Sequence, residues 1–145
     1  MRIIQFEDKY RDDMIFMILE AKNALGRVPR LNPDLLDIKK NYFEQGGAFW
    51  LALDDNDRVI GSIGFNINEN HGDVTLHRFF VKCELKRQGI GTALLKTAEE
   101  YIKSLEKETV YINLGAGDEW LESRAFYTKH GYVYYGENEM KKHLI

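Results

Sequence analysis

Residues 75–95, TLHRFFVKCELKRQGIGTALL, join an apolar, β-prone run to a helix that opens on Gly89 and Gly91. A helix starting on bare glycines exposes its first backbone N–H groups, which together with the positive end of the helix dipole form an anion site. The expected guest is a phosphate-bearing cofactor. Beyond Gly89, Ile90, Leu94, Ala98, Tyr101, Ile102 and Leu105 recur at a helical period, and Glu99 pairs with Lys103 four positions on. A strand feeding a glycine turn and a long amphipathic helix is the first half of a βαβ crossover.

The rest of the chain is read outward from that centre. Downstream, TVYINLG is the second strand of the crossover, GDEWLESRAFYTKHG a short helix ended by Gly131, and YVYYGENEMKKHLI one or two closing strands. Upstream, AFWLALDDNDRVIGSIGFNIN places two β-rich runs about a DDND turn, a hairpin pattern, and the polar turn ENHGD leads into the strand Val74–Val81. Residues 2–7 read as a strand. Asp8 then begins a helix whose Met14, Ile15, Ile18, Leu19 and Leu25 fall near a 3.6 period, and Gly26 ends it. GRVPRLNP holds both prolines and reads as a loop; Asn32 or Asp34 then caps a second helix with Leu35, Ile38 and Tyr42 on one face, stopped by Gly46 and Gly47. The order β α α β β β α β α β β mixes hairpins with a crossover. It predicts an α/β fold, a mixed sheet of six to seven strands with helices on both faces, in one domain over residues 1–145.

Composition narrows the function classes. Lys and Arg number 20 against 23 Asp and Glu, so a net charge of −3 gives no global field for nucleic acid or an anionic membrane. The single Cys83 excludes an intrachain disulfide and a cysteine-rich zinc site. His71, His77, His130 and His143 lack metal-ligand spacing, so no metal is expected. The N-terminal apolar run is broken early by charge and no apolar run is long enough to span a membrane, which makes a cytoplasmic protein the expectation.

Spacing separates the glycine-loop readings. GxxxxGK[ST] is absent, which removes a P-loop, and Leu94 stands where a dinucleotide fingerprint needs a small residue. Two readings remain on these residues alone: a tight turn with a helix cap, or a loop whose N–H groups, from Arg87 through Gln88, Gly89, Ile90 and Gly91 to Thr92, wrap a pyrophosphate without magnesium.

VKCELKRQGIGTALL resembles the acetyl-coenzyme A loop of the GNAT superfamily of N-acetyltransferases, V-x-P-x-x-[QR]-x-x-G-x-[GA], with Val81, Gly89 and Gly91 in register. SRAFYTKHGYV is similar to that family's A-x-x-[LF]-Y-x-x-x-G-F segment, with Phe126, Tyr127, Gly131 and Tyr132 in place, and the element order matches over nearly the whole chain. Four positions depart from the pattern: Lys86 stands for Gln or Arg, Cys83 for a common Pro, Ser123 for Ala, and Trp120 for an Asn that often contacts the cofactor.

The resemblance implies transfer of acetyl from acetyl-CoA to a primary amine in a ternary complex; the alternative is a non-catalytic acyl-CoA-binding module on the same scaffold. It implies a pantetheine arm between splayed parallel strands, bonded by the backbone of Phe79, Phe80 and Val81, with Lys86 and Ser123 also at the cofactor. Tyr127 is the implied proton donor to the departing thiolate. Some family members carry a Glu at the position aligned with Thr75; here His77, two residues along and by strand alternation on the same face as Phe79, is the candidate base, with Glu69 and Asp73 as others. Arg27 and Arg30 read as solvated loop charge; the alternative that the resemblance implies, since this loop borders the family's acceptor cleft, is that they meet an acidic acceptor. The acceptor, a small-molecule or peptide amine, is not readable, and homodimer formation stays open.

Overall fold

The structure, a computed structural model, describes residues 1–68 and 73–145. Seven strands form one sheet: β1 (Arg2–Gln5), β2 (Ala48–Leu53), β3 (Val59–Ile67), β4 (Val74–Val81), β5 (Thr109–Asn113), β6 (Val133–Gly136) and β7 (Glu139–His143). Their spatial order is β1-β2-β3-β4-β5-β7-β6. Every neighbouring pair is antiparallel except β4 with β5. That parallel pair is the crossover expected around the glycine turn, and the helix it needs is α3 (Ile90–Ser104).

Alternation along β2 divides the core. Ala48, Trp50 and Ala52 face α3, where they meet Leu94, Leu95, Ala98 and Ile102. Phe49, Leu51 and Leu53 face the opposite layer, built on α1 (Arg11–Ala24) through Met14, Met17, Ile18 and Ala21. The buried stripe of α1 is thus 14/17/18/21, whereas Ile15, Leu19 and Leu25 of the expected stripe are only partly buried. A short helix α4 (Leu121–Lys129) sends Tyr127 into the α3-side core, where Tyr132 lies beside it at 5.4 Å between ring centroids.

The second helix expected upstream is not continuous. Pro33–Leu36 and Phe43–Gln45 are 3₁₀ turns around a single α-helical turn, α2 (Ile38–Asn41). Pro33 donates no N–H, and Asp37 leaves the helical region at φ −146° and ψ 83°, using its carboxylate to cap Lys40 N–H. Leu35, Ile38 and Tyr42 are nevertheless buried, as their spacing predicts.

Strict alternation on β4 fails as well. Ser62 pairs with Phe80 but Gly64 with His77, so β4 holds one residue more than β3 across this step. The extra residue is a β-bulge at Arg78, which adopts φ 55°. Its carbonyl accepts from Ser62 Oγ at 2.7 Å, and its guanidinium grips Asp34 at 2.9 and 3.0 Å. Past the bulge the faces exchange: Phe79 and Val81 pack with the α3-side core and Phe80 with the α1 side. His77 and Phe79 therefore do not share a face, a correction to the alternation argument.

Candidate active site

The start of α3 has the backbone an anion needs. Gly89 sits at φ 84°, no side chain caps the helix, and the first helical bond runs from Ala93 N–H to Gly89 O at 3.0 Å. Ile90, Gly91 and Thr92 therefore have no carbonyl one turn earlier to accept their N–H groups. A Cβ on Gly89 would meet nothing within 4 Å, so its glycine serves conformation, since φ 84° strains any other residue. A Cβ on Gly91 would make ordinary contact with Phe126 and Phe79 at 3.5 to 3.6 Å, on the wall of the open space at the helix end.

That space is a cavity of about 640 Å³. Its walls include Phe79, Phe80 and Val81 of β4, Lys86 and Arg87 of the loop, and Gly89, Ile90, Gly91 and Thr92 at the helix start. Ser123 and Tyr127 of α4 complete the set that the sequence singles out. Gln88 and His77 do not line it. β4 and β5 pair only at Val74 with Val110 and Thr75 with Tyr111, so the strands part before the bulge and the β5-side edge of residues 79–81 has no strand partner. An extended amide-bearing arm fits such an edge as an added strand does.

Tyr127 is buried, with Phe79 at 6.0 Å and Phe126 at 5.7 Å between ring centroids. Burial pushes its phenol well above the ordinary range, and the positive charge of Arg27 pulls it partly back. Its hydroxyl therefore stays protonated at neutral pH. His77 lies on the other side of the sheet, its ring edge-on to Tyr42 at 6.4 Å. Burial, then the Arg78 charge, lower its pKa against the pull of Asp34, which keeps the imidazole neutral. Among the other base candidates, Glu69 lies outside the described residues.

Several lining residues escape the sequence reading. Glu122 and Phe126 of α4, and His130 at its C-terminal end, line the cavity on the face of Ser123 and Tyr127, and extending that face by one turn finds His130. Its imidazole stacks on Phe126 at 4.2 Å and meets Phe126 O at 2.8 Å and Thr92 Oγ1 at 3.1 Å, tying α4 to the start of α3. Lys86 Nζ reaches Glu122 at 2.9 Å, a second tie between loop and α4. Arg27, for which the sequence left solvated loop charge or an acceptor-facing cation, lines the cavity. Trp120, at the usual Asn position, packs on Gly115 just past β5, where a Cβ would overlap the indole.

The model of the Acetyltransferase (GNAT) family matches residues 12–132. With a mixed sheet splayed at its parallel pair and a glycine-opened helix at the splay, the chain belongs to the GNAT acetyltransferase family. Across 99% of both chains its fold superposes on a GNAT-family acetyltransferase from Staphylococcus aureus Mu50, with TM-score 0.87 and 25% identity. A structure of aminoglycoside 6'-N-acetyltransferase complexed with coenzyme A gives TM-score 0.77 at 18% identity, covering 100% of this chain and 98% of that one. Human N-acetyltransferase 8 is 29% identical over 112 residues, 72% of this chain and 47% of that protein. The chain spans about half or less of the length of the curated relatives it matches. Among the described residues no helix is long and apolar enough to cross a membrane, and no cluster of His, Cys, Asp and Glu is arranged to hold a metal.

Proposed function

We propose that residues 1–145 act as one domain that transfers acetyl from acetyl-CoA directly to a primary amine, in a cytoplasmic setting. The observation that carries this reading is one cavity running from the unsatisfied N–H groups of α3 to the buried hydroxyl-bearing Tyr127. When bound, acetyl-CoA supplies an activated acetyl thioester. The α3 N-terminus with Lys86 and Arg87 orients its phosphates, and the free edge of residues 79–81 aligns its arm.

The chain's own groups then manage protons. An alkylamine of pKa ~10.4 is free base in only about one part in 2,500 at pH 7, a deprotonation cost of roughly 4.6 kcal/mol without a base. His77 is our candidate for that base; because it faces the first helices against Tyr42 and does not line the cavity, the role requires an amine that approaches from that face of the sheet. Tyr127 Oη returns a proton to the departing sulfur, and Arg27 narrows the pKa gap that burial opens. His77→Gln tests the first role: an acidic limb of the pH-rate profile that survives the change removes it.

Mixing the protein with acetyl-CoA and a panel of amines tests the whole reading. The expected result is thiol release matched by an acetyl mass gain on one amine class. Stabilisation by coenzyme A without thiol release from any amine supports the non-catalytic module instead, and at 100 times Kd that stabilisation is about 2.7 kcal/mol.

A further inference from the structure

Arg27 carries a charge that the fold does not neutralise. It follows the last turn of α1 and lines the same cavity as Tyr127. Its guanidinium lies 3.5 Å from the centroid of the Trp120 ring, and one terminal nitrogen donates to Ser123 Oγ at 3.1 Å. Its Nε–H is buried without an acceptor among the described residues. No ion pair involving Arg27 occurs among them either; Glu119 and Glu122 act on it only from beyond pairing distance. The cation is thus held over an indole that is itself packed on Gly115, with little rotamer freedom left to lose on binding.

A second cation reinforces it. Lys22 of α1 is buried, bonded to Arg30 O and Asn32 Oδ1 rather than to a carboxylate, and 6.0 Å from the ring of Phe80, which also lines the cavity. Arg78, by contrast, is matched by Asp34.

Burying charge without a partner is costly, so such a cation implies an anion that arrives with a ligand. Acetyl-CoA does not supply it at this end. Its phosphates belong with the α3 N-terminus, and the arm that reaches Tyr127 carries only neutral amides and a hydroxyl. The second substrate remains. Resting on the transfer reading above, we propose that Arg27 sets acceptor specificity by pairing with a carboxylate on the acceptor. The substrate class is then amino acids or short peptides with a carboxylate near the reacting amine. Diamines and aminoglycosides, which bring further positive charge toward Arg27 and Lys22, are disfavoured.

Acceptor pairs test this: amino acids and dipeptides against the corresponding amines lacking the carboxylate, with a diamine and an aminoglycoside as a third set. Thiol release gives kcat/KM for each in wild type, Arg27→Gln and Arg27→Lys, with a coenzyme A thermal shift verifying that each variant folds. Wild type is expected to favour the carboxylate-bearing member by about tenfold or more, the size of one charge-assisted contact. Arg27→Gln brings that ratio toward one and Arg27→Lys leaves it intermediate; should the Gln variant not fold, a lowered ratio in the Lys variant carries the test. A wild-type preference for the carboxylate-free or polycationic amines overturns the proposal while the transfer reading stands. So does a uniform fall in kcat with the ratio intact, which assigns Arg27 to the thiolate. Absence of thiol release from every amine removes the transfer reading and this proposal together.

Discussion

At the scale of single residues, Tyr127 and Gly91 separate chemistry from binding. Tyr127 combines burial, which holds its proton in place, with a wall position in the cavity. Tyr127→Phe keeps the ring that packs on Phe79, Phe126 and Tyr132 and removes only the hydroxyl. Steady-state kinetics on this variant should show kcat lower by about 10²-fold with little change in KM for acetyl-CoA, as for a general acid lost from an otherwise intact site; unchanged turnover rules the role out. Gly91 predicts the opposite division. Because a Cβ there makes only ordinary contacts with Phe126 and Phe79, Gly91→Ala should fold and bind. Gly91→Val crowds the anion end, and a steric cost of about 1–3 kcal/mol in the complex corresponds to a rise in coenzyme A Kd of about 5- to 150-fold by calorimetry. A Val variant that binds as wild type would detach the glycine loop from the cofactor.

At the scale of elements, legibility followed local chemistry. The strands, α3 and α4 were readable because periodicity, glycine stops and two spaced motifs all act within a few residues. The second helix was not, because Pro33 and the self-capping Asp37 break it while its buried positions keep a helical spacing. The β4 bulge was equally hidden: nothing in HRFFV marks Arg78 for φ 55°, a conformation held by Ser62 and Asp34 from distant parts of the chain. The same limit left two readings open for Arg27, whose partners Trp120 and Ser123 lie far along the sequence. In the site, the glycine loop and Tyr127 were marked by motifs, whereas Arg27 could be named only as a loop cation with two readings, because its burial depends on distant partners. The bulge yields its own prediction. Arg78→Ala loses the ion pair yet keeps the left-handed strain, whereas Arg78→Gly loses the pair and relaxes the strain. Urea unfolding should find the Ala variant destabilised by about 1–3 kcal/mol and the Gly variant by up to about 1 kcal/mol less. An Ala variant as stable as wild type would mean that the ion pair does not hold the bulge.

For the whole molecule, stability against pH should be bounded by two sets of groups, each with a sign fixed by the fold. Asp34 is pulled below the ordinary carboxylate range by the hydrogen bonds from Arg78 and Tyr42, which outweigh its burial, and Asp13 by the hydrogen bonds from Arg58 and Val59. A lowered pKa stabilises the fold once the unfolded carboxylate has ionised, so this contribution is complete above about pH 4 and is lost as pH falls below it. On the alkaline side, burial drives the phenols of Tyr42, Tyr127 and Tyr132 upward, and the carboxylates of Asp34 and Glu99 beside Tyr42 and Tyr132 push those two further. These groups remain neutral in the fold but ionise in the unfolded chain near pH 10, so their contribution is whole below that value and declines above it. Urea midpoints measured from pH 3 to 11 should therefore decline shallowly below about 6.5, where the unfolded chain protonates His77 and the fold resists it, then more steeply below about 4, with a separate fall above about 10. Tyr132→Phe isolates the alkaline arm. Its ring retains the packing against Tyr127, while the hydroxyl that donates to Glu99 Oε2 at 2.6 Å is gone. The variant should be less stable at neutral pH, by about 1–3 kcal/mol for a hydrogen bond to a charged partner, and its alkaline decline should be shallower by one proton. An alkaline limb with the wild-type slope would show that Tyr132 does not couple ionisation to unfolding.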